Sequence, residues 1–117
     1  MRNIDFRVWN KTDKKIERVF SLNIFYNTVT TYEAKKYDNC DKEYDLMQYI
    51  GIKDCEGVKV FEEDMVEIAF KIDKPITGIV KFLEKEACFG VVTPDETFCF
   101  CEIDNFTLKV IGNTYEQ

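Results

Sequence analysis

Apolar and polar residues alternate at the start of the chain with the period of two that a half-buried β-strand requires. Ile4, Phe6 and Val8 occupy alternate positions, and residues 16–21 have the composition of a returning strand after the polar stretch 10–15. A polar stretch between two such runs is typical of an antiparallel hairpin. The pattern therefore predicts a β-hairpin at the N-terminus.

The alternation continues beyond this hairpin. Leu22, Ile24 and Tyr26 form a further apolar row, and residues 28–32 are rich in β-branched side chains, which favour strands. We therefore predict an antiparallel β segment over residues 1–32.

A polar, charged stretch without a β pattern occupies residues 33–45. It is compatible with one short helix near 33–48 or with an ordered linker. We favour a solvated connector between two β units.

Strand signals return over residues 46–117, and turn chemistry separates them at Gly57, Pro75 and Pro94. Five or more short strands at spacings of about ten residues are typical of a small barrel or sandwich. The predicted fold is mostly β, in a single domain made of the β segment, the connector and a small barrel over 46–117.

Composition restricts the possible functions more than it restricts the possible folds. The chain has 117 residues and a net charge of −6, which disfavours binding to phosphate backbones. Neither a signal peptide nor an apolar run long enough to cross a membrane is visible in the sequence, so we expect a cytoplasmic protein.

The sequence also lacks several kinds of reaction chemistry. It contains no His, so a Ser–His or Cys–His nucleophile pair cannot form. Its five Gly are scattered singly rather than gathered in a phosphate-binding loop. We therefore expect no catalytic residues and no cofactor.

Five cysteines form an odd set that a reducing cytoplasm keeps as thiols. They are Cys40, Cys55, Cys88, Cys99 and Cys101. On one strand Cys99 and Cys101 would share a face, beside Cys88 if its strand is the neighbour. A thiolate metal site is one interpretation, but zinc prefers four ligands in other spacings. We favour small buried hydrophobic residues, with all five thiols reduced and no metal bound.

An acidic cluster at Glu62, Glu63 and Asp64 is the strongest candidate for a cation site or a general acid–base pair. The favoured alternative is a strand-end corner in which Asp64 accepts hydrogen bonds from backbone N–H groups.

Several residues of the N-terminal segment are of the types that often anchor protein interfaces. The candidate interface comprises Arg7, Trp9, Phe20, Leu22, Ile24 and Tyr26. Because an isolated hairpin is marginal in water, this segment must dock on its own barrel or on a neighbour. We expect a homo-oligomer that uses this segment. The basic residues at the hairpin tip, interrupted by Asp13 and Glu17, are too few for a nucleic-acid footprint.

Four sequence blocks, in order, resemble the YopX family of small proteins encoded by bacteriophages and prophages. The blocks are Met1-Arg2, Ile4, Phe6-Arg7 and Trp9; Leu46 to Asp54 with Gly57, Lys59 to Glu62 and Asp64 to Val66; Gly78 to Val80 with Phe89 to Val91; and Leu108, Val110 to Asn113 and Tyr115-Glu116.

Three departures from the family pattern stand out. Glu63 replaces a Gly, which argues against a positive-φ turn there, Ile50 replaces a Thr, and the tail ends early. The resemblance implies a mostly β fold with an SH3-like barrel in its second part, and residence in the host cytoplasm. It implies no reaction.

These expectations favour a non-catalytic phage or prophage accessory protein that acts through contacts with a host or phage protein. A nucleic-acid-associated small-barrel module is the alternative, because small barrels often bind strands. An enzyme with a carboxylate site at residues 62–64 is the third interpretation.

Overall fold

A computed structural model describes residues 3–33, 35–38, 43–71 and 73–116. The chain divides into two compact units, Met1–Tyr49 and Ile50–Gln117. No helix among the described residues is long and apolar enough to cross a membrane.

Strands dominate both units. In chain order they are β1 (Phe6–Asn10), β2 (Lys15–Asn23), β3 (Thr28–Thr31), β4 (Lys36–Asp38), β5 (Tyr44–Lys53), β6 (Lys59–Phe61), β7 (Asp64–Phe70), β8 (Ile76–Leu83), β9 (Cys88–Val92), β10 (Thr97–Cys99) and β11 (Phe106–Asn113). One short 3-10 helix, Phe100–Glu102, follows β10.

The strands form two antiparallel sheets. The first has the order β4-β3-β2-β1-β5-β6, and the second has the order β10-β9-β8-β7-β11. The predicted mostly β fold is therefore confirmed. The expected SH3-like barrel is not confirmed, since no pairing among the described strands closes either sheet.

The first unit is built around the predicted hairpin. β1 pairs with β2 on one side and with β5 on the other, and Val8 lies opposite Glu17. Val8, Val29 and Tyr37 form the buried apolar cluster, and Val19 and Tyr44 pack against it. Val8 thus occupies the buried face that the alternation predicts.

The connector expected over residues 33–45 is partly a strand. β4 pairs with β3 and places Tyr37 beside Val29 in the core. No helix is present in the described part of residues 33–48, so the short helix expected there is not found. A tertiary contact explains the strand, because burial of the Tyr37 side chain against Val29 holds this short polar segment beside β3.

The second unit has an apolar core with members from β6, β7, β8, β9 and β11. Its fully buried members are Val60, Val66, Ile68, Val80, Val91 and Leu108. The backbones of β9 and β10 approach each other closely at Gly90, where an added Cβ would lie 2.2 Å from the carbonyl oxygen of Phe98. A side chain there would force β9 and β10 apart.

Candidate interaction surface

The β2–β3 hairpin exposes more large apolar residues than any other part of the described chain. Ile24 is 82% exposed, Phe25 85% and Tyr26 69%. Phe20 and Tyr32 are 66% and 61% exposed, and Leu22 is 38% exposed. We call these residues the hairpin surface. Apolar groups gathered in this way mark interaction sites more often than isolated exposed residues do.

The tip of the hairpin is a turn rather than a continuing strand. The Asn23 side chain accepts a hydrogen bond from the backbone N–H of Tyr26 at 3.0 Å, and Asn27 takes a φ of 53°. Asparagine tolerates this left-handed conformation, and its short polar side chain favours turns. The predicted strand row Leu22, Ile24 and Tyr26 is therefore wrong for its last two members, which lie in the turn.

Ring contacts organise the exposed aromatic residues. Phe25 and Tyr26 meet edge to face with centroids 4.9 Å apart, and Phe20 and Tyr32 do so at 5.3 Å. The guanidinium of Arg18 lies 5.0 Å from the Tyr32 ring centroid, which is cation–π geometry. These contacts order the rings without removing them from solvent.

The other two predicted interface residues lie apart from this exposed set. Arg7 and Trp9 are half-buried on β1, on the face opposite Val8. Arg7 donates a hydrogen bond from Nε to the Met47 sulfur at 3.4 Å. Four of the six predicted residues are thus exposed in or beside the β2–β3 turn, whereas Arg7 and Trp9 are half-buried on β1.

Sequence reasoning missed Phe25 and Tyr32, although a signal for them was present. Residues 19–32 contain no charged side chain, in a chain whose residues are 32% charged. A long uncharged run with exposed aromatic residues is the composition of an interface centre, from which charges are depleted.

Basic residues at and near the β1–β2 turn form ion pairs with carboxylates. Lys15 contacts Glu33 and lies 3.8 Å from Glu17, and Lys35 lies 3.0 Å from Asp13. The hydrogen bond to Glu33 raises the pKa of Lys15, and the hydrogen bond from Lys35 lowers the pKa of Asp13. Lys15, at the start of β2, and Lys35 are thus each paired with a carboxylate.

Glu17 is a buried carboxylate that the alternation did not single out. Its side chain is fully buried, and its oxygens accept hydrogen bonds from the Tyr37 hydroxyl at 2.9 Å and from the Asn10 amide at 3.2 Å. Burying a charge is costly unless hydrogen bonds and opposite charges compensate it. Glu17 therefore serves the structure of the first unit, with its oxygens committed inside that unit.

The acidic corner has the geometry of a strand-end turn. Asp64 is buried and accepts a hydrogen bond from the Phe61 N–H at 2.8 Å. Glu63 pairs with Lys81 at 2.8 Å and accepts a hydrogen bond from the Thr114 hydroxyl at 3.1 Å. The expectation against a positive φ at Glu63 is wrong, because its φ is 69°. Its backbone bonds to Val80 and Thr114 hold that conformation.

Asp54 closes the β5–β6 turn in the same manner. It accepts hydrogen bonds from the N–H groups of Glu56 and Val58 through one oxygen and of Val110 through the other, at 2.8 to 3.0 Å. The bond from Val110 is the largest cause of its lowered pKa. An acidic side chain that lines an open depression in the second unit is thus occupied by backbone donors.

Three of the cysteines meet in the second unit. Cys88 and Cys99 form a disulfide, and the Cys101 sulfur lies 2.9 Å from that of Cys99. The expectation that all five thiols are reduced is therefore wrong for Cys88 and Cys99. Cys101 lies in the 3-10 helix, not on the strand with Cys99. Cys55 is exposed, and Cys40 lies outside the described residues.

Comparison with known proteins agrees with this fold. The model of the YopX protein family matches residues 5–117. A crystal structure of an Enterococcus faecalis protein is similar with a TM-score of 0.67 and 20% identity, covering 99% of this chain and 96% of that chain. The YopX protein of Bacillus subtilis is similar with a TM-score of 0.66 and 22% identity, covering 100% of this chain and 96% of that chain. No sequence among the curated proteins matches.

Proposed function

This chain belongs to the YopX family, and we propose that it acts by protein–protein contact through the hairpin surface and catalyses no reaction. The observation that supports the proposal is the uncharged run 19–32, which carries the most exposed aromatic side chains of the described chain. Its proposed setting is the cytoplasm of a bacterial host, as an accessory protein of a bacteriophage or prophage, supported by the resemblance of its four sequence blocks.

The partner that fits this surface is a second copy of the chain. Association costs about 4–15 kcal/mol in lost freedom of motion. Burying one large apolar side chain contributes about 1.5–3 kcal/mol. Burial of Ile24, Phe25 and Tyr26 of one copy against a polar surface would barely offset this cost of association. A two-fold contact supplies the same residues twice, because each copy presents the same patch.

Charge limits where two copies can meet. Each copy has a net charge of −6, which opposes association, and a contact through an uncharged region adds the least repulsion. The hairpin surface is such a region. A nucleic acid would need an uncompensated basic stripe, and in the described part of the first unit Lys11, Lys15 and Lys35 all pair with carboxylates.

Light scattering coupled to size exclusion tests the proposal. Wild-type protein should elute as a homo-oligomer at tens of micromolar. Ile24→Ser removes one tip contact from each copy, about 3–6 kcal/mol in a dimer, so the dissociation constant should rise by more than about 100-fold. Ile111→Ser is the matched control, since Ile111 is 44% exposed on β11 of the second unit.

The two variants make the result decisive. Both should keep the wild-type circular dichroism spectrum, because both residues are substituted at exposed positions. A monomeric wild type, or an oligomer that Ile111→Ser weakens as much as Ile24→Ser does, contradicts the proposal.

A further inference from the structure

The cysteine cluster of the second unit combines a disulfide with a third sulfur in contact with it. The sulfurs of Cys88, Cys99 and Cys101 all lie within 4.8 Å of one another. Their exposure differs: Cys99 is buried, Cys88 is half-buried and Cys101 is exposed. An accessible thiol therefore touches a disulfide whose nearer sulfur is shielded.

Local structure explains why the three meet. β9 and β10 pair so that Cys99 lies opposite Gly90, which makes Cys88 its diagonal neighbour, with a Cα–Cα distance of 6.7 Å. Diagonal neighbours on one sheet face are within reach of each other. The chain then leaves β10 into the 3-10 helix, and that turn brings Cys101 back to within 2.9 Å of the Cys99 sulfur.

We propose that Cys101 is the reactive site of this cluster, where a small-molecule disulfide exchanges with the protein and from which the disulfide passes to Cys88 and Cys99. Thiol–disulfide exchange proceeds by attack of a thiolate on a disulfide sulfur, so access and proximity decide which thiol reacts. Cys101 is accessible to a small-molecule disulfide, and Cys99 is close enough to Cys101 to receive the disulfide from it.

The steps conserve atoms and electrons. In the reduced protein the Cys101 thiolate attacks a disulfide RSSR, forms Cys101–S–S–R and releases RS⁻. The Cys99 thiolate then attacks the Cys101 sulfur, forms a Cys99–Cys101 disulfide and releases a second RS⁻. Finally the Cys88 thiolate attacks Cys99, which forms the disulfide seen in the structure and returns Cys101 to a thiolate. One RSSR is reduced and one protein dithiol is oxidised.

The same route runs backwards. Attack by the Cys101 thiolate on the Cys99 sulfur breaks the Cys88–Cys99 bond and moves the disulfide to the exposed position, where a small thiol reduces it. The cluster would thus follow the ratio of small thiols to small disulfides around it. Cys55 is also exposed but is not part of the cluster, so it lacks the second step.

The experiment follows the formation of the Cys88–Cys99 disulfide after glutathione disulfide is added to fully reduced protein. Samples are quenched by alkylation over time and mapped by peptide mass. Wild type and the matched control Cys55→Ser should oxidise at the same rate. Cys101→Ser should oxidise at least about tenfold more slowly, because glutathione disulfide must then reach the buried Cys99 or the half-buried Cys88.

A second variant tests the transfer step separately. Cys88→Ser/Cys99→Ser removes both thiols that lie within reach of Cys101, so glutathione should accumulate on Cys101 as a lasting mixed disulfide, to a higher level than on Cys101 of the wild type. Circular dichroism confirms that each variant is folded. Equal oxidation rates for wild type and Cys101→Ser, or no Cys88–Cys99 disulfide in oxidised wild type, would overturn the proposal. So would the lack of an adduct on Cys101 in the Cys88→Ser/Cys99→Ser variant.

Discussion

The two units of this chain distribute their apolar residues in opposite ways. The second unit buries six aliphatic residues as one cluster, and the exposed large apolar residues in its described part are each less than half exposed. The first unit buries a cluster of three and leaves its aromatic hairpin in solvent, while both units also bury polar side chains. Unfolding should therefore expose more apolar surface per residue in the second unit than in the first.

This contrast separates stability from function. In the second unit hydrophobic burial supplies the main stabilising term, as in most small domains. In the first unit a turn and ring contacts keep several large apolar side chains exposed to solvent, where they can contact a partner protein. The contrast also predicts that the two units respond differently to the same kind of substitution.

The largest effect should come from a cavity in the second unit. Ile68 is completely buried in β7, so Ile68→Ala should lower the free energy of unfolding by about 2–5 kcal/mol. Urea denaturation followed by circular dichroism measures this loss. Ile111→Ala, at a partly exposed position of the same unit, is the control and should change the free energy by less than about 0.5 kcal/mol. Equal losses would show that the cluster is not the core.

A polar substitution should have the next largest effect, and in the first unit. Glu17→Ala removes the acceptor of the hydrogen bonds from Tyr37 and Asn10, which should cost about 1–3 kcal/mol. The single Trp, Trp9, lies on neighbouring β1, so its fluorescence follows this unit during denaturation. The control Glu33→Ala removes an exposed ion pair worth about 0–1 kcal/mol. A loss no larger than that of the control would contradict the structural role of Glu17.

The sequence predicted strands and turns whose signals come from residues close together in the chain. β8, Ile76–Leu83, begins directly after Pro75, where the sequence predicts a separation between strands. The hairpin of β1 and β2 and the turn at Gly57, which takes a φ of 82°, were predicted for the same local reasons.

Two features were not predicted from periodicity, one held by a local side-chain hydrogen bond and one by a partner distant in the sequence. Residues 24–26 are strand formers, but the Asn23 side chain and the positive φ of Asn27 turn the chain there. Glu17 is buried because Tyr37, twenty residues away, supplies a hydrogen bond. The candidate surface was therefore predicted in outline, by Phe20, Leu22, Ile24 and Tyr26, and its composition was completed only by the structure.

The smallest predicted effect contrasts two aspartates with lowered pKa values, one in each unit. Lys35 is the main cause at Asp13, through a hydrogen bond and its charge, and both side chains are substantially exposed. Backbone N–H groups, led by that of Val110, are the main stabilising contacts at Asp54. Because both pKa values lie below the ordinary value of about 3.9, each carboxylate stabilises the fold above about pH 4, and this contribution fades as pH falls through the folded-state pKa.

Salt should separate the two causes. At about 1 M salt the screening length falls to about 3 Å, which weakens exposed ion pairs but not short hydrogen bonds to backbone donors. Titration of the side-chain carboxyl carbons by NMR should show the pKa of Asp13 rising towards its ordinary value in high salt, while that of Asp54 changes little. Lys35→Met should reproduce the salt effect at Asp13 and leave Asp54 unaffected. If salt raised both pKa values equally, the backbone donors would not be the main cause at Asp54, and the contrast between a charge-held turn and a backbone-held turn would fail.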